Sequence, residues 1–70
     1  MKGGSKVKID KKKLQLEMAR QCIGLMEIAQ RADMPYITVR TVASGRNTVL
    51  PRTAGMIAKA LGVDVSEIII

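Results

Sequence analysis

The stretch from residue 25 to residue 45, LMEIAQRADMPYITVRTVASG, decides how this chain folds. Apolar residues recur at helical spacing on both sides of a break at Asp33-Met34-Pro35. Because proline lacks an N–H group and fits the first turn of a helix, the break predicts a tight turn between two short helices. Helices of about eight residues are not stable alone. The rest of the chain must therefore pack against this pair.

The spacing of the second helix of the pair, about residues 36–43, separates an inner face from an outer face. Val39 and Val42 fall on one side of the 3.6-residue period and are predicted to meet a buried side of the preceding helix formed by Ile28, Ala29 and Ala32. The outer side carries the only aromatic residue of the chain, a β-branched apolar residue, a guanidinium and a hydroxyl. These residues are Tyr36, Ile37, Arg40 and Thr41. Such a mixture is typical of a contact surface.

A helix is also predicted before this pair. Asp10 is a good N-cap, and Leu14, Met18 and Cys22 recur at four-residue intervals. This pattern predicts an amphipathic helix from about residue 11 to residue 21, with Cys22 as a small core residue.

Two more helices are predicted after the pair. One covers about residues 52–61 and is closed by Gly62. Asp64 and Glu67 have capping-box spacing, which predicts a short fifth helix from Val65 that carries Ile68 and Ile69 into the core. No strand alternation is evident in the sequence. The predicted fold class is therefore all-α, a compact five-helix domain.

Positive charge is concentrated in two zones. The formal net charge is +6; residues 1–13 carry six Lys against one Asp, and residues 34–63 contain four cations and no acid. Residues 1–9, MKGGSKVKI, have little apolar periodicity and are predicted to form a flexible basic arm before a single domain at residues 10–70. Segregated charge favours a polyanionic partner, although a surface made basic for solubility explains the same numbers.

The residue types present exclude several chemistries. One cysteine and no histidine exclude an internal disulfide, a Cys/His zinc site and a His-activated nucleophile. With no acid/base pair or phosphate-cradling glycine loop in the sequence, we expect no enzyme activity, cofactor, metal or small-molecule substrate. No apolar run approaches the roughly 18 residues of a membrane span, so we expect a cytoplasmic protein without a membrane partner.

Two runs in the sequence, IGLMEIAQRADMPYITVRTVASGR and IAKALGVDVSEII, resemble a known family. They are similar to the Cro/repressor-type (XRE-like) helix-turn-helix DNA-binding domain of phage and bacterial regulators, over about residues 14–69. The resemblance implies five helices, with the third in the major groove of DNA and the second across the backbone. It also implies a bacterial, nucleoid-associated protein. It maps base reading onto Tyr36, Ile37, Thr38, Arg40 and Thr41.

Four positions depart from the pattern of that family. Asp33 stands where a turn glycine is common, and a left-handed Asp is tolerable at some cost. Leu25 replaces a phosphate-binding Gln, so only backbone N–H groups remain there. Met18 and Ala43 replace a buried Arg–Glu pair. Losing both charges together is close to neutral, whereas losing one strands a buried charge at roughly 3–5 kcal/mol.

The predicted base-reading residues keep alternative roles. Arg40 suits two hydrogen bonds to guanine O6/N7, a phosphate contact, or simple solvation. Ile37 and the Thr38 methyl suit packing on a thymine C5-methyl group. Tyr36 suits a hydrogen bond to a base or a phosphate, or packing back on the second helix.

The loop and the start of the fourth helix are predicted to line the sugar-phosphate backbone, through Arg46, Asn47, Thr48 and Arg52. In the resemblance, a basic residue beside the proline, here Arg52, lies near the minor groove. A merely polar loop is the alternative reading.

The apolar terminus at residues 68–70 suggests a symmetric homodimer contact in the region of the fourth and fifth helices. Such a dimer would place two third helices about 34 Å apart on a palindromic site.

Two functional hypotheses follow from the sequence. The first is a sequence-specific, double-stranded-DNA-binding transcriptional regulator, repressor-like and without catalytic activity. The second is a protein-interaction module, an antitoxin or adaptor, that uses the same fold. The first is the leading hypothesis, and exposed apolar character at Ile37 and Leu25 keeps the second one open.

Overall fold

The computed structural model describes residues 6–44 and 48–70. These residues form four α-helices, a two-stranded antiparallel sheet and one 3₁₀ turn. In chain order the elements are β1 (Val7–Lys8), α1 (Lys11–Gln21), α2 (Leu25–Ala32), α3 (Tyr36–Ser44), β2 (Thr48–Val49), α4 (Pro51–Leu61) and the 3₁₀ turn (Val65–Glu67). The described part of the chain is mostly helical, and the predicted positions of the first four helices are confirmed to within a residue.

Local signals set the helix ends. The Asp10 carboxylate accepts hydrogen bonds from the backbone N–H groups of Lys12 and Lys13 at 3.0 and 3.3 Å, which confirms the predicted N-cap. Gly62 ends α4 with a φ of 70°, also as predicted. Asp33 ends α2 with a φ of 56° and fills the left-handed position where the family often has glycine.

Helix α1 ends at Gln21 as predicted, but the residue that follows it does not lie in the core. Cys22 adopts a φ of 57° as the C-cap of α1, and it is exposed. The prediction that Cys22 is a small core residue is therefore wrong, because the left-handed backbone at this residue takes its side chain off the inner stripe of α1. The preceding residue, Gln21, donates a hydrogen bond from Nε2 to the Leu61 carbonyl oxygen at 2.6 Å.

The helices α2 and α3 are joined by three residues and pack with α4 around one core. The buried residues of α2 are Ile28, Ala29 and Ala32, and those of α3 are Val39 and Val42, all as predicted. Small residues on α2 allow a close helix approach. The buried apolar residues of the described chain are Ile9, Leu14, Ile28, Ala29, Ala32, Val39, Val42, Val49, Ala54, Ile57, Ala58, Ala60, Leu61 and Ile68.

The predicted small helical domain is confirmed in its main part, but a two-stranded sheet that the sequence did not predict is added to the helices. β1 pairs antiparallel with β2, and on its other side Ile9 forms an antiparallel bridge with Ile69. The Ile70 N–H donates to the Lys8 carbonyl oxygen at 3.0 Å. Strands of two residues are too short to show alternation in the sequence.

The predicted arm is wrong for residues 7–9, because β1 is paired and Ile9 is fully buried. Residues 1–5 of that arm lie outside the described residues.

The predicted fifth helix is a 3₁₀ turn, so the five-helix count is also wrong. Asp64 accepts hydrogen bonds from the Ser66 hydroxyl at 2.6 Å and from the Ser66 N–H at 3.0 Å, and both lower the pKa of the Asp64 carboxyl. The helix does not continue because the β-branched residues that follow are extended: Ile69 bridges to Ile9, and the Ile70 N–H donates to the Lys8 carbonyl oxygen. Ile68 is fully buried, as predicted, and Ile69 is half-buried.

Candidate nucleic-acid interface

One face of α3 is presented to solvent while the other packs on the core. The exposed fractions of Tyr36 and Ile37 are 40% and 59%, and Arg40 and Thr41 are exposed as well. Thr38 is half-buried at the edge of this face. We call these five residues the α3 surface. All five predicted base-reading positions therefore lie on one helix, with four accessible to a partner and Thr38 partly so.

The hydroxyl of Thr41 is already used inside the helix. Thr41 Oγ1 donates a hydrogen bond to the Ile37 carbonyl oxygen at 2.7 Å. Because a threonine hydroxyl has a single hydrogen, Thr41 offers a partner its methyl group and acceptor lone pairs rather than a donor. The chemistry of the α3 surface is thus more apolar than its sequence indicates.

The polar tips of Arg40 and Tyr36 have no side-chain partner in residues 6–44 and 48–70. The two ion pairs of these residues, Glu17–Arg20 and Glu27–Arg31, lie on α1 and α2. By contrast, Arg31 is held 2.6 Å from the Glu27 carboxylate. The guanidinium of Arg40 can therefore reach an external acceptor without first breaking an ion pair within the described residues.

The strand β2 and the start of α4 border the α3 surface across a cleft. Thr48 and Arg52, two of the predicted backbone contacts, are exposed. Pro51 is the first residue of α4. The other predicted backbone contacts, Arg46 and Asn47, lie outside the described residues.

Three lysines of the N-terminal basic zone lie close to α3 or to the cleft beside it. Lys8 pairs with Thr48 in the sheet register, and Lys6 lines the cleft between α3 and α4. Lys11 Nζ donates to the Ser44 carbonyl oxygen at 3.4 Å, at the C-terminal end of α3. The sequence assigns these lysines to the N-terminal basic zone, and their location follows from contacts that are distant in sequence, namely the strand pairing of Lys8 and the hydrogen bond of Lys11.

Helix α2 begins without a side-chain cap. Its N-cap residue is Gly24, which has no side chain to accept hydrogen bonds from the backbone N–H groups of the first turn. Leu25 is half-buried and packs against the core. The interpretation of Leu25 as an exposed apolar residue is therefore wrong.

The acid Glu17 was not singled out from the sequence, yet it is the buried charged side chain of the described residues. It is 5% exposed, and its carboxylate lies 3.7 Å from Arg20 Nη1. The neighbouring Met18, like Ala43, packs against the core. The sequence does indicate that Glu17 is buried, because position 17 lies three residues after Leu14 and thus on the inner face of α1.

The described residues contain no cluster of three or more His, Cys, Asp or Glu side chains able to hold a metal ion. Within the same part of the chain, no helix has both the length and the apolar character needed to cross a membrane.

Comparisons with protein-family models, with curated proteins and with solved structures found no match to this chain. The resemblance to the repressor-type family therefore remains a prediction from the residues. The functional proposal depends on the surface chemistry of the domain itself.

Proposed function

We propose that this protein is a sequence-specific, double-stranded-DNA-binding transcriptional regulator, repressor-like and without catalytic activity, that inserts α3 into the major groove. The observation that carries this proposal is the α3 surface itself. It combines an exposed guanidinium with exposed apolar and aromatic groups, on a stretch of chain that contains no acid between residues 34 and 63. Phosphates would repel an acidic surface and are attracted by this one.

The dimensions of α3 fit this role. Nine residues give a helix about 13 Å long, and the major groove is about 12 Å wide and accepts an α-helix. Helix α2 precedes α3 by a three-residue turn, which is the connection length of DNA-binding helix-turn-helix units. In this proposal α2 crosses the backbone and α3 reads base edges.

The residues around α3 supply the backbone contacts of the proposal. Lys6, Lys8 and Arg52 are exposed, and Thr48 is exposed beside them. Cations at such positions fix the register of a protein on the duplex without reading sequence. Base reading is assigned to Arg40 and to the apolar groups of the α3 surface.

The proposal includes a homodimer on a palindromic site. Ile70 is 73% exposed at the end of the chain, and an exposed isoleucine is a suitable centre for a symmetric contact. Two copies joined there would present two α3 helices about 34 Å apart. Sedimentation at increasing protein concentration tests this part separately, and a monomer throughout would contradict it.

Selection of bound duplexes from a random library, followed by titration at several salt concentrations, tests the proposed function. We expect an enriched sequence and an affinity that falls with salt by a slope of about −0.9 per phosphate contact. Replacing Arg40 by Ala should weaken binding of the selected duplex by about 1–3 kcal/mol. Lys12→Ala removes an equal charge from the exposed side of α1 and should change affinity by less than about 2-fold. Binding without sequence preference would contradict the proposal.

A protein-interaction module, an antitoxin or adaptor, is the second candidate function. It is favoured by two large exposed aliphatic side chains near one another, Ile37 at 59% and Leu50 at 50%. An Arg40→Ala/Arg52→Ala double variant separates the two functions. Loss of DNA binding with full retention of a protein partner would support this second function.

A further inference from the structure

An open cleft of about 350 Å³ separates α3 from the segment that joins β2 to α4. Its lining is dominated by methyl groups and short hydroxyl side chains. The residues that carry the argument are Ile37, Thr38 and Thr41 on the α3 side and Thr48, Leu50 and Thr53 on the other. We call it the α3–α4 cleft. Three of its residues belong to the α3 surface, so a ligand of that surface meets the cleft as well.

Two large aliphatic side chains are among the residues that line the α3–α4 cleft. Ile37 belongs to α3, and Leu50 is the N-cap residue of α4, with extended backbone and no side-chain capping bond. Both remain at least half exposed. Burial of such side chains by a ligand is favourable, in proportion to the apolar area removed from water.

The polar groups of the cleft limit what it can recognise. The Thr41 hydroxyl donates its hydrogen bond to the Ile37 carbonyl oxygen. This side of α3 therefore presents mainly methyl groups to a ligand in the cleft. Lys6 adds a positive charge to the lining of the cleft, and the described lining contains no acid. A ligand that combines an apolar group with a nearby negative charge would match both the methyl groups and the positive charge of the lining.

We propose that the α3–α4 cleft receives the C5-methyl group of a thymine in the major groove, held between Ile37 and Leu50. This inference rests on the proposed function. Thymine is the one standard base that presents a methyl group in that groove, and its backbone supplies the anion that Lys6 would meet. Leu50 thereby becomes a specificity-determining residue, although it lies outside α3 and carries no polar group.

The experiment uses the full chain and the duplex obtained by selection. Each thymine of the site is replaced in turn by deoxyuridine, which removes the C5-methyl group and leaves base pairing intact. We expect one thymine in each half-site at which the replacement weakens binding by about 3- to 10-fold, the size expected for one buried methyl group. Other thymines should show changes below about 2-fold.

The role of Leu50 is tested by repeating the uracil series with variants. In Leu50→Ala the penalty at the sensitive thymine should fall below about 2-fold, because the methyl group has lost one wall. Ile37→Val, which keeps a smaller wall, should reduce the penalty only in part. Leu16→Ala removes a leucine of similar exposure, 63%, from α1 and should leave the penalty unchanged.

Failure of this inference can be distinguished from failure of the proposed function. A selected site that is bound with sequence preference, but with no methyl-sensitive thymine, overturns the cleft assignment and leaves DNA binding standing. A penalty that persists unchanged in Leu50→Ala also overturns it. In those cases the cleft is open to another occupant, such as an apolar side chain of a protein. Absence of any sequence preference overturns both proposals.

Discussion

The α2–α3 pair and the sheet at the chain ends stabilise the same core in different ways. Residues of α2 and α3 meet after a turn of three residues, so their contacts are local in sequence. The sheet instead brings β1 against β2 and bridges Ile9 to Ile69, which joins residues from opposite ends of the chain. The α2–α3 pair presents the proposed reading surface, and the sheet pairs Lys8 with Thr48, a residue of the cleft beside that surface. The proposed surface is thus bordered by elements that are far away in sequence.

The largest effect on the free energy of unfolding is expected from core substitutions, which compare the bridge at Ile9 with the α2–α3 pair. Ile9 and Ile28 are both fully buried. Replacing either by Ala should lower the free energy of unfolding by about 2–5 kcal/mol, because each change leaves a cavity in the core. Urea denaturation measures both. Leu16→Ala, at a site that is 63% exposed, should cost less than about 0.5 kcal/mol. If Ile9→Ala were as mild as Leu16→Ala, the segment around Ile9 would not belong to the core.

A smaller effect is expected where the sheet meets α1. Asp10 caps α1 through its carboxylate, while its backbone N–H donates to the Ile68 carbonyl oxygen at 2.8 Å. Asp10→Ala should lower the free energy of unfolding by about 0.5–2 kcal/mol, and Asp10→Asn, which keeps an acceptor, by much less. Thermal unfolding of both variants provides the comparison. Equal losses in the two variants would show that capping is not the cause.

The helix that supports both regions offers a stabilising change. A Cβ atom built at Gly55 in α4 has no heavy atom within 4 Å, which indicates tolerance of glycine rather than close packing. Gly55→Ala should therefore raise the free energy of unfolding by about 0.5–1 kcal/mol. Gly62→Ala is the matched control, because its φ of 70° strains an alanine and should make the protein less stable. A destabilised Gly55→Ala variant would mean that α4 is packed more closely than described.

The smallest effect concerns the turn that leads into the sheet. The hydrogen bond from the Ser66 hydroxyl, followed by that from the Ser66 N–H, holds the pKa of Asp64 below its ordinary value of 3.8. A depressed pKa means that ionised Asp64 stabilises the fold above that value, and that this stabilisation is lost as the pH falls through the lowered pKa. In Ser66→Ala the pKa should rise toward the ordinary value. An NMR titration of the carboxyl group measures it, and an unchanged pKa would contradict the assigned cause.

The helices could be predicted from the sequence because their signals are local. Asp10, Pro35 and Gly62 act on adjacent backbone, and Val39 and Val42 repeat with the helical period. The sheet could not be predicted in the same way, since strands of two residues show no alternation. The fifth helix was predicted wrongly for the same reason. Its capping residue was real, but the residues after Glu67 pair with a strand that the sequence did not reveal.

In the candidate site, too, the residues placed by local helix periodicity could be predicted and those placed by long-range contacts could not. The outward direction of Tyr36, Ile37 and Arg40 follows from helix periodicity and is seen in the structure. Leu50 and Lys6 could not be assigned from the sequence, because the cleft they line forms only when β1, β2 and α4 come together.

Chemical-shift mapping by NMR of the labelled full chain, titrated with its selected duplex, tests the central claim most directly. The proposal predicts that the largest amide shifts occur in α3 and in residues 48–53, with smaller changes on the exposed side of α1 around Leu16. Saturable binding with shifts confined to α1, and with α3 unaffected, would contradict the assignment of α3 as the DNA-reading helix.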